Sequence, residues 1–226
     1  MRKLVAAGSL LLLACGCAHY QTPGGGVSIP AITDAPIAEA LARQPAAQFP
    51  AHVIVARVQA AGYESASGRG FGNGRYSVLT ARDIETEEDF TQLASLPGVA
   101  GVGPINRILL PVDLHSAQEL REAAAHLRGD IILLYTIDTR FEKSRLATTC
   151  AAAFVDVRTG YVYGVAEGSA ADAQPPAYWR TKAVDAARLK TERQAFSSAL
   201  QEVAKAWTSI NAEYNRTTAS IVAGPP

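Results

Sequence analysis

Glycines at Gly68, Gly70, Gly72 and Gly74 are the first candidates for chemistry, because backbone amides bared of side chains can cradle a phosphate. Their spacing is alternate, not Gly-x-Gly-x-x-Gly, and the following Arg75–Thr80 reads as a strand where a phosphate loop needs a helix. The run, with Asn73-Gly74 at its end, is therefore expected to be a mobile hairpin tip. It displays Arg69, Phe71, Arg75 and Tyr76 as a possible contact surface for a partner. Asp138, Asp156 and Glu167 fall at strand ends or in hairpins. Two such carboxylates across a cleft would suit glycoside hydrolysis, but nothing in the spacing gathers them. His19, His52, His115 and His126 lack metal-ligand spacing. Neither a Gly-x-Ser-x-Gly elbow nor a phosphate loop ending in Gly-Lys-Ser/Thr occurs. The expectation is no catalytic residue, no metal, no cofactor and no enzyme.

The thiols carry a different chemistry. Arg2 and Lys3 give a positive start, Leu4–Leu13 is apolar except for Gly8 and Ser9, and Ala14-Cys15-Gly16-Cys17-Ala18 is a cluster of small residues. That order is an export signal, and its apolar run is shorter than the roughly 20 residues a membrane-spanning helix needs. Leu12-Leu13-Ala14-Cys15 resembles a bacterial lipobox. The resemblance implies that Cys15 receives diacylglycerol, that residues 1–14 are removed as a signal peptide, and that the new amino terminus is acylated, as with palmitate. Cys17 is the alternative site. Two or more acyl chains would hold the body at a bilayer. Gly16 is not the Asp associated with inner-membrane retention, so the resemblance also implies the periplasmic face of the outer membrane.

Loss of residues 1–14 removes Arg2 and Lys3 and leaves 19 of the 21 basic residues against 21 acidic ones, a net charge of −2. With its basic residues scattered, such a body offers no footprint for nucleic acid. Cys150, alone in the body, is expected to be a small apolar core residue.

Elements must then position these groups. Residues 15–50, with Pro23-Gly24-Gly25-Gly26 and Pro30, Pro36, Pro45 and Pro50, read as a lipidated start and flexible spacer. His52–Val58 is apolar on nearly both faces, which predicts an interior strand. A short helix is expected over Thr86–Ser95 and a strand within Val99–Leu110. Ser116-Ala117-Gln118-Glu119 is a capping box opening a helix that runs to Arg128, with Gly129 just past its end. Asp130–Asp138 is the clearest central strand. Ala151–Val157 and Tyr161–Glu167 form a hairpin about Arg158-Thr159-Gly160. Phe196, Leu200, Val203, Trp207, Ile210 and Tyr214 recur at spacings of 4, 3, 4, 3 and 4, one stripe on a long amphipathic helix from about Thr181 to Asn215.

These elements predict one α/β (α+β) domain over 51–216, a single mixed sheet with helices packed on it, and a loose tail over 217–226. Asp130–Phe141, Phe154–Gly160 with the Tyr-rich strand and Glu167-Gly168, and the terminal helix resemble the rhombotarget lipoproteins. The layout is more distantly similar to periplasmic lipoproteins of the curli-secretion and penicillin-binding-protein-activator type. The resemblance carries over no catalytic residue and no activity; the lipobox and the missing catalytic motifs lead to the expectation of a membrane-anchored, non-enzymatic binding or assembly module of the cell envelope, with an envelope protein as partner. The alternatives are a subunit of an oligomeric outer-membrane export complex and a hydrolase whose site is assembled from distant residues.

Overall fold

The computed structural model describes residues 25–33, 36–65, 68–72, 74–80, 82–142, 145–176 and 181–223. The expected signal peptide, Cys15, Cys17, His19 and Asn73 lie outside the described residues. Two short helices, α1 (Ile29–Ile32) and α2 (Ile37–Ala42), precede β1 (Ala51–Ala60). Next come β2 (Glu64–Ser65), paired with β3 (Gly68–Arg69), and then β4 (Tyr76–Leu79). α3 (Glu87–Ala94) leads to β5 (Val99–Pro104), a 3-10 turn at Arg107–Leu109, and α4 (Ala117–His126). β6 (Ile131–Glu142), β7 (Arg145–Asp156) and β8 (Val162–Asp172) run in succession before α5 (Thr181–Ala223).

The fold is mixed α/β. Six strands form one sheet in the order β4-β1-β6-β7-β8, with β5 on the first half of the edge of β1 that β4 takes further on. β1 is parallel to β5 and β6 and antiparallel to β4, while β6, β7 and β8 are antiparallel neighbours. Val53–Ala56 of β1 and Ile131–Leu134 of β6 are apolar throughout because both faces of the sheet are covered there. Val53, Val55, Leu133 and Ile137 meet α5 and Leu93 of α3 on one face. Ile54, Ala56, Ile132 and Leu134 meet Leu120, Ala123 and Ala124 of α4, together with Ile32 of α1, on the other.

The stripe of α5 docks as its spacing predicts, with Phe196, Leu200, Val203 and Trp207 buried. Its backbone lies so close to β8 that a Cβ added at Gly168 would stand 2.2 Å from the Ala199 amide nitrogen and 2.5 Å from the Ala195 carbonyl oxygen. Gly168→Val is thus expected to lose about 1–3 kcal/mol of stability through overpacking. Thermal unfolding checks this, and an unchanged midpoint would mean that α5 does not seat there.

Several expectations need correction. The described part of the spacer is an arm laid on the domain. The Gly25 carbonyl accepts from the Ala60 amide at 3.0 Å, the Val27 amide donates to Thr136 Oγ1 at 2.9 Å, and Ile32 is fully buried. Its prolines and glycines erase periodicity, so single buried residues leave no pattern. The positive-φ residue after α4 is Arg128 (φ 58°), not Gly129. Gly129 is needed for space, since a Cβ there would stand 2.5 Å from Ile54 Cγ1. β7 begins at Arg145, well before the expected Ala151, because Leu146, Thr148 and Cys150 point inward and mix a polar residue into the buried face. α5 runs on to Ala223, for no breaker precedes Gly224-Pro225.

Candidate functional site

The proposed contact residues lie where β1 ends. Ala60 pairs with Tyr76, whose amide donates to the Leu114 carbonyl at 3.2 Å. Tyr76 corrects the sequence reading. It is 1% exposed, shares a core with Val58 and Val78, and donates its hydroxyl to the Ala31 carbonyl, so it is not displayed. Phe71 is half-buried and bridges Val78 through both backbone groups at 2.8 Å. Arg69 is exposed and paired with Glu64 at 2.9 Å. Arg75 is exposed, its guanidinium 5.3 Å from the Tyr76 ring centre.

A second loop completes this pole, and sequence reasoning missed it. A Cβ on Gly74 would stand 2.2 Å from the Leu114 carbonyl oxygen, so the glycine run and residues 106–114 meet backbone to backbone. Arg107 lies over Phe71 at 5.5 Å. Beside it Ile108 is 88% exposed and Val112 57%. The available signal was an Arg-Ile-Leu-Leu-Pro-Val run that a strand cannot carry through Pro111.

The three carboxylates do not gather. Asp138 sits opposite Thr149 and Asp156 opposite Ile131, seven residues back along β6, which is roughly 23 Å. Glu167 lies opposite Ala151, two strands from β6. Asp156 is instead an anchor for the arm. It accepts from the amides of Ala46 (2.6 Å), Ala47 (2.7 Å), Arg158 (2.8 Å) and Thr159 (2.9 Å), and from the Tyr163 hydroxyl (2.8 Å). Burial would raise its carboxyl. The donors, Thr159 and Ala46 first, more than offset this and hold it below the ordinary range.

Asp156→Asn should cost about 1–3 kcal/mol near neutrality. With the folded value lowered, the ionised group stabilises above the unfolded value of about 3.9, and that contribution is lost as pH falls through the folded one. The gap between parent and variant in urea unfolding should stay flat near neutrality and narrow below about pH 4. A gap that widens toward acid contradicts the assignment.

Among the described residues, no three His, Cys, Asp or Glu side chains are placed to hold a metal. His126 Nδ1 lies 2.8 Å from the Glu122 carbonyl oxygen. Cys150 is fully buried, and burial pushes its thiol up to about 12, so it stays protonated. Arg43 and Arg121 close on the turn between β7 and β8. Arg43 donates to the Gly160 carbonyl at 3.1 Å, and Arg121 to those of Val157 and Arg158 at 3.2 and 3.1 Å.

The densest charge cluster is internal. Arg57 Nη1 pairs with Asp83 at 2.7 Å and Nη2 with Glu192 at 3.1 Å. Glu192 also takes Arg188 Nη1 at 2.7 Å and the Thr139 hydroxyl at 3.1 Å. Asp185 holds Arg188 at 3.0 Å, and the Tyr63 hydroxyl accepts from Arg57 at 3.3 Å. Arg57, Arg188, Glu192 and Tyr63 are each no more than 2% exposed. Burial works against the charge on Arg57, but its neighbours Tyr135, Glu192, Tyr63 and Asp83 more than offset that, and it is held protonated. These pairs fasten α5 to β1 and leave Arg57 Nε buried without a hydrogen-bond partner among the described residues.

No protein-family model matches the chain, and no curated protein matches it. Solved structures do. The PelC dodecamer of Paraburkholderia phytofirmans is 13% identical over 70% of this chain and 92% of its own, with a TM-score of 0.35. The lipoprotein GNA1162 of Neisseria meningitidis is 15% identical over 54% and 83%, with a TM-score of 0.30. A DUF330-family protein of Xanthomonas campestris is 13% identical over 83% and 97%, with a TM-score of 0.32. Likeness at this level carries no function across, and the reading rests on the chain's own residues.

Proposed function

We propose that this protein is a lipid-anchored lipoprotein of the cell envelope, held at the periplasmic face of the outer membrane, whose domain is a non-enzymatic binding or assembly module. The observation that carries the reading is Leu12-Leu13-Ala14-Cys15 at the end of an apolar run, ten residues before the arm docks at Gly25. No helix among the described residues is long and apolar enough to cross a membrane, so the thiol is the attachment this reading needs. The test is extraction. The mature protein should stay with membranes through high salt and alkaline carbonate and enter the detergent phase of a cloud-point separation. Release by salt or carbonate would overturn the proposal. Crosslinking in intact cells followed by pull-down then names the partner.

A second reading, a subunit of an oligomeric export complex, is favoured by β8. This 11-residue strand is an edge of the sheet with no Lys, Arg or Pro to guard it, and Val162 and Val165 are 37% and 65% exposed. Rings of detergent-extracted protein in electron micrographs would support it; monomers would end it.

A further inference from the structure

The arm passes the turn between β7 and β8 at a pole that carries four exposed large apolar side chains. Ile37 and Leu41 of α2 are 81% and 78% exposed, and Val162 and Val165 of β8 lie bare beside the turn. α2 buries none of its six residues, and a helix so short does not hold by itself. Its flanks hold it. Ile32 before it is fully buried, and the Ala46 and Ala47 amides after it donate to Asp156. Arg43, at its C-terminal end, donates to the Thr33 carbonyl at 3.4 Å and to the Gly160 carbonyl at 3.1 Å. The helix is therefore a braced knob, with Ile37 and Leu41 one turn apart on one side of it.

Val162 and Val165 stand opposite Val155 and Ala153, which belong to the core under α4, so they lie on that face of the sheet. β8 is the edge there. Gly160, which holds Arg43, is two residues from Val162. Knob and strand thus flank one point, within the span of an ordinary interface. Glu39 is answered by Arg43 at 2.8 Å, so α2 brings no net charge to the contact. A convex apolar helix and a bare strand edge each lack what the other supplies, and within one copy both stay exposed.

We propose that this pole is a self-association surface whose occupant is a second copy of this chain. A two-fold axis close to Gly160 lays Ile37 and Leu41 of each copy on Val162 and Val165 of the other, covering both apolar pairs twice. The inference rests on the oligomeric reading given above and adds to it the surface that joins two subunits. It needs no acyl chain.

The test is sedimentation of the purified full-length mature protein in a density-matched detergent over a range of concentrations. The parent should dimerise, and Leu41→Glu and Val165→Lys should each raise the dissociation constant roughly tenfold or more. Mixed together, the two variants should associate again. The new carboxylate on one copy's α2 then meets the new ammonium on the other copy's β8, and the second contact is the parent's. Unchanged near-UV circular dichroism shows that both variants remain folded. Variants that stay apart when mixed overturn the pairing of α2 with β8. Association that neither substitution weakens overturns the surface and leaves the oligomeric reading standing. A parent that stays monomeric at about 100 μM overturns both.

Discussion

Glu192→Ala is expected to lower the unfolding free energy by about 3–5 kcal/mol, the usual cost of removing one member of a buried ionic pair. The carboxylate joins two arginines that have almost no access to water, taking Arg57 at 3.1 Å and Arg188 at 2.7 Å, and it also accepts from Thr139. Alanine leaves Asp83 and Asp185 as separate partners and a charged void between them. Helix propensity works in the opposite direction, since alanine suits α5 better than glutamate, but by well under 1 kcal/mol. Glu192→Gln should fall between parent and alanine variant, because it keeps one acceptor and loses the charge. Urea unfolding reads both. A loss below about 1 kcal/mol would mean that the cluster is hydrated in solution, as exposed pairs are.

Trp207→Ala is expected to cost a further, independent amount of about 3–5 kcal/mol. The indole is fully buried, packs on Phe49 and Phe154 at 5.6 and 5.3 Å between ring centres, and donates Nε1–H to the Pro97 carbonyl at 2.8 Å. It therefore ties α5, the arm and the turn after α3 at one point. Trp207→Phe should lose less and serve to isolate the hydrogen bond. Either alanine variant removes a large share of the 5–15 kcal/mol typical of a whole domain. Near-UV circular dichroism and thermal unfolding check the result. A Trp207→Ala protein that melts with the parent would show that the C-terminal half of α5 is not docked.

How legible this was in the sequence depended on whether a segment's physics was local. The stripe from Phe196 to Tyr214, the run through β6 and the capping box at Ser116 depend on neighbours a few residues away, and each reads correctly. The ionic cluster does not. Upstream of Phe196 the same face of α5 carries Arg188 and Glu192, and the inward face of β1 carries Arg57 in line with Val53 and Val55. A charge on a stripe that is otherwise apolar was the available signal, but its partner lies 135 residues away. Gln59 is similar. Its side-chain amide donates to the Ile137 carbonyl and accepts from the Ile137 amide, both at 2.8 Å, bridging β1 to β6 just past the last paired residues. Tyr76 was misplaced because the short strand β4 shows little alternation, and all four of its residues are buried.

The account turns on the thiol at the mature start, and intact-mass and N-terminal peptide mass spectrometry of protein purified from membranes reads that group directly. The expected species begins at Cys15 and carries a diacylglyceryl group and an amide-linked acyl chain; the same adduct on a chain beginning at Cys17 keeps the anchor and moves its site by two residues. A mature chain with no lipid mass, whatever its first residue, contradicts the account.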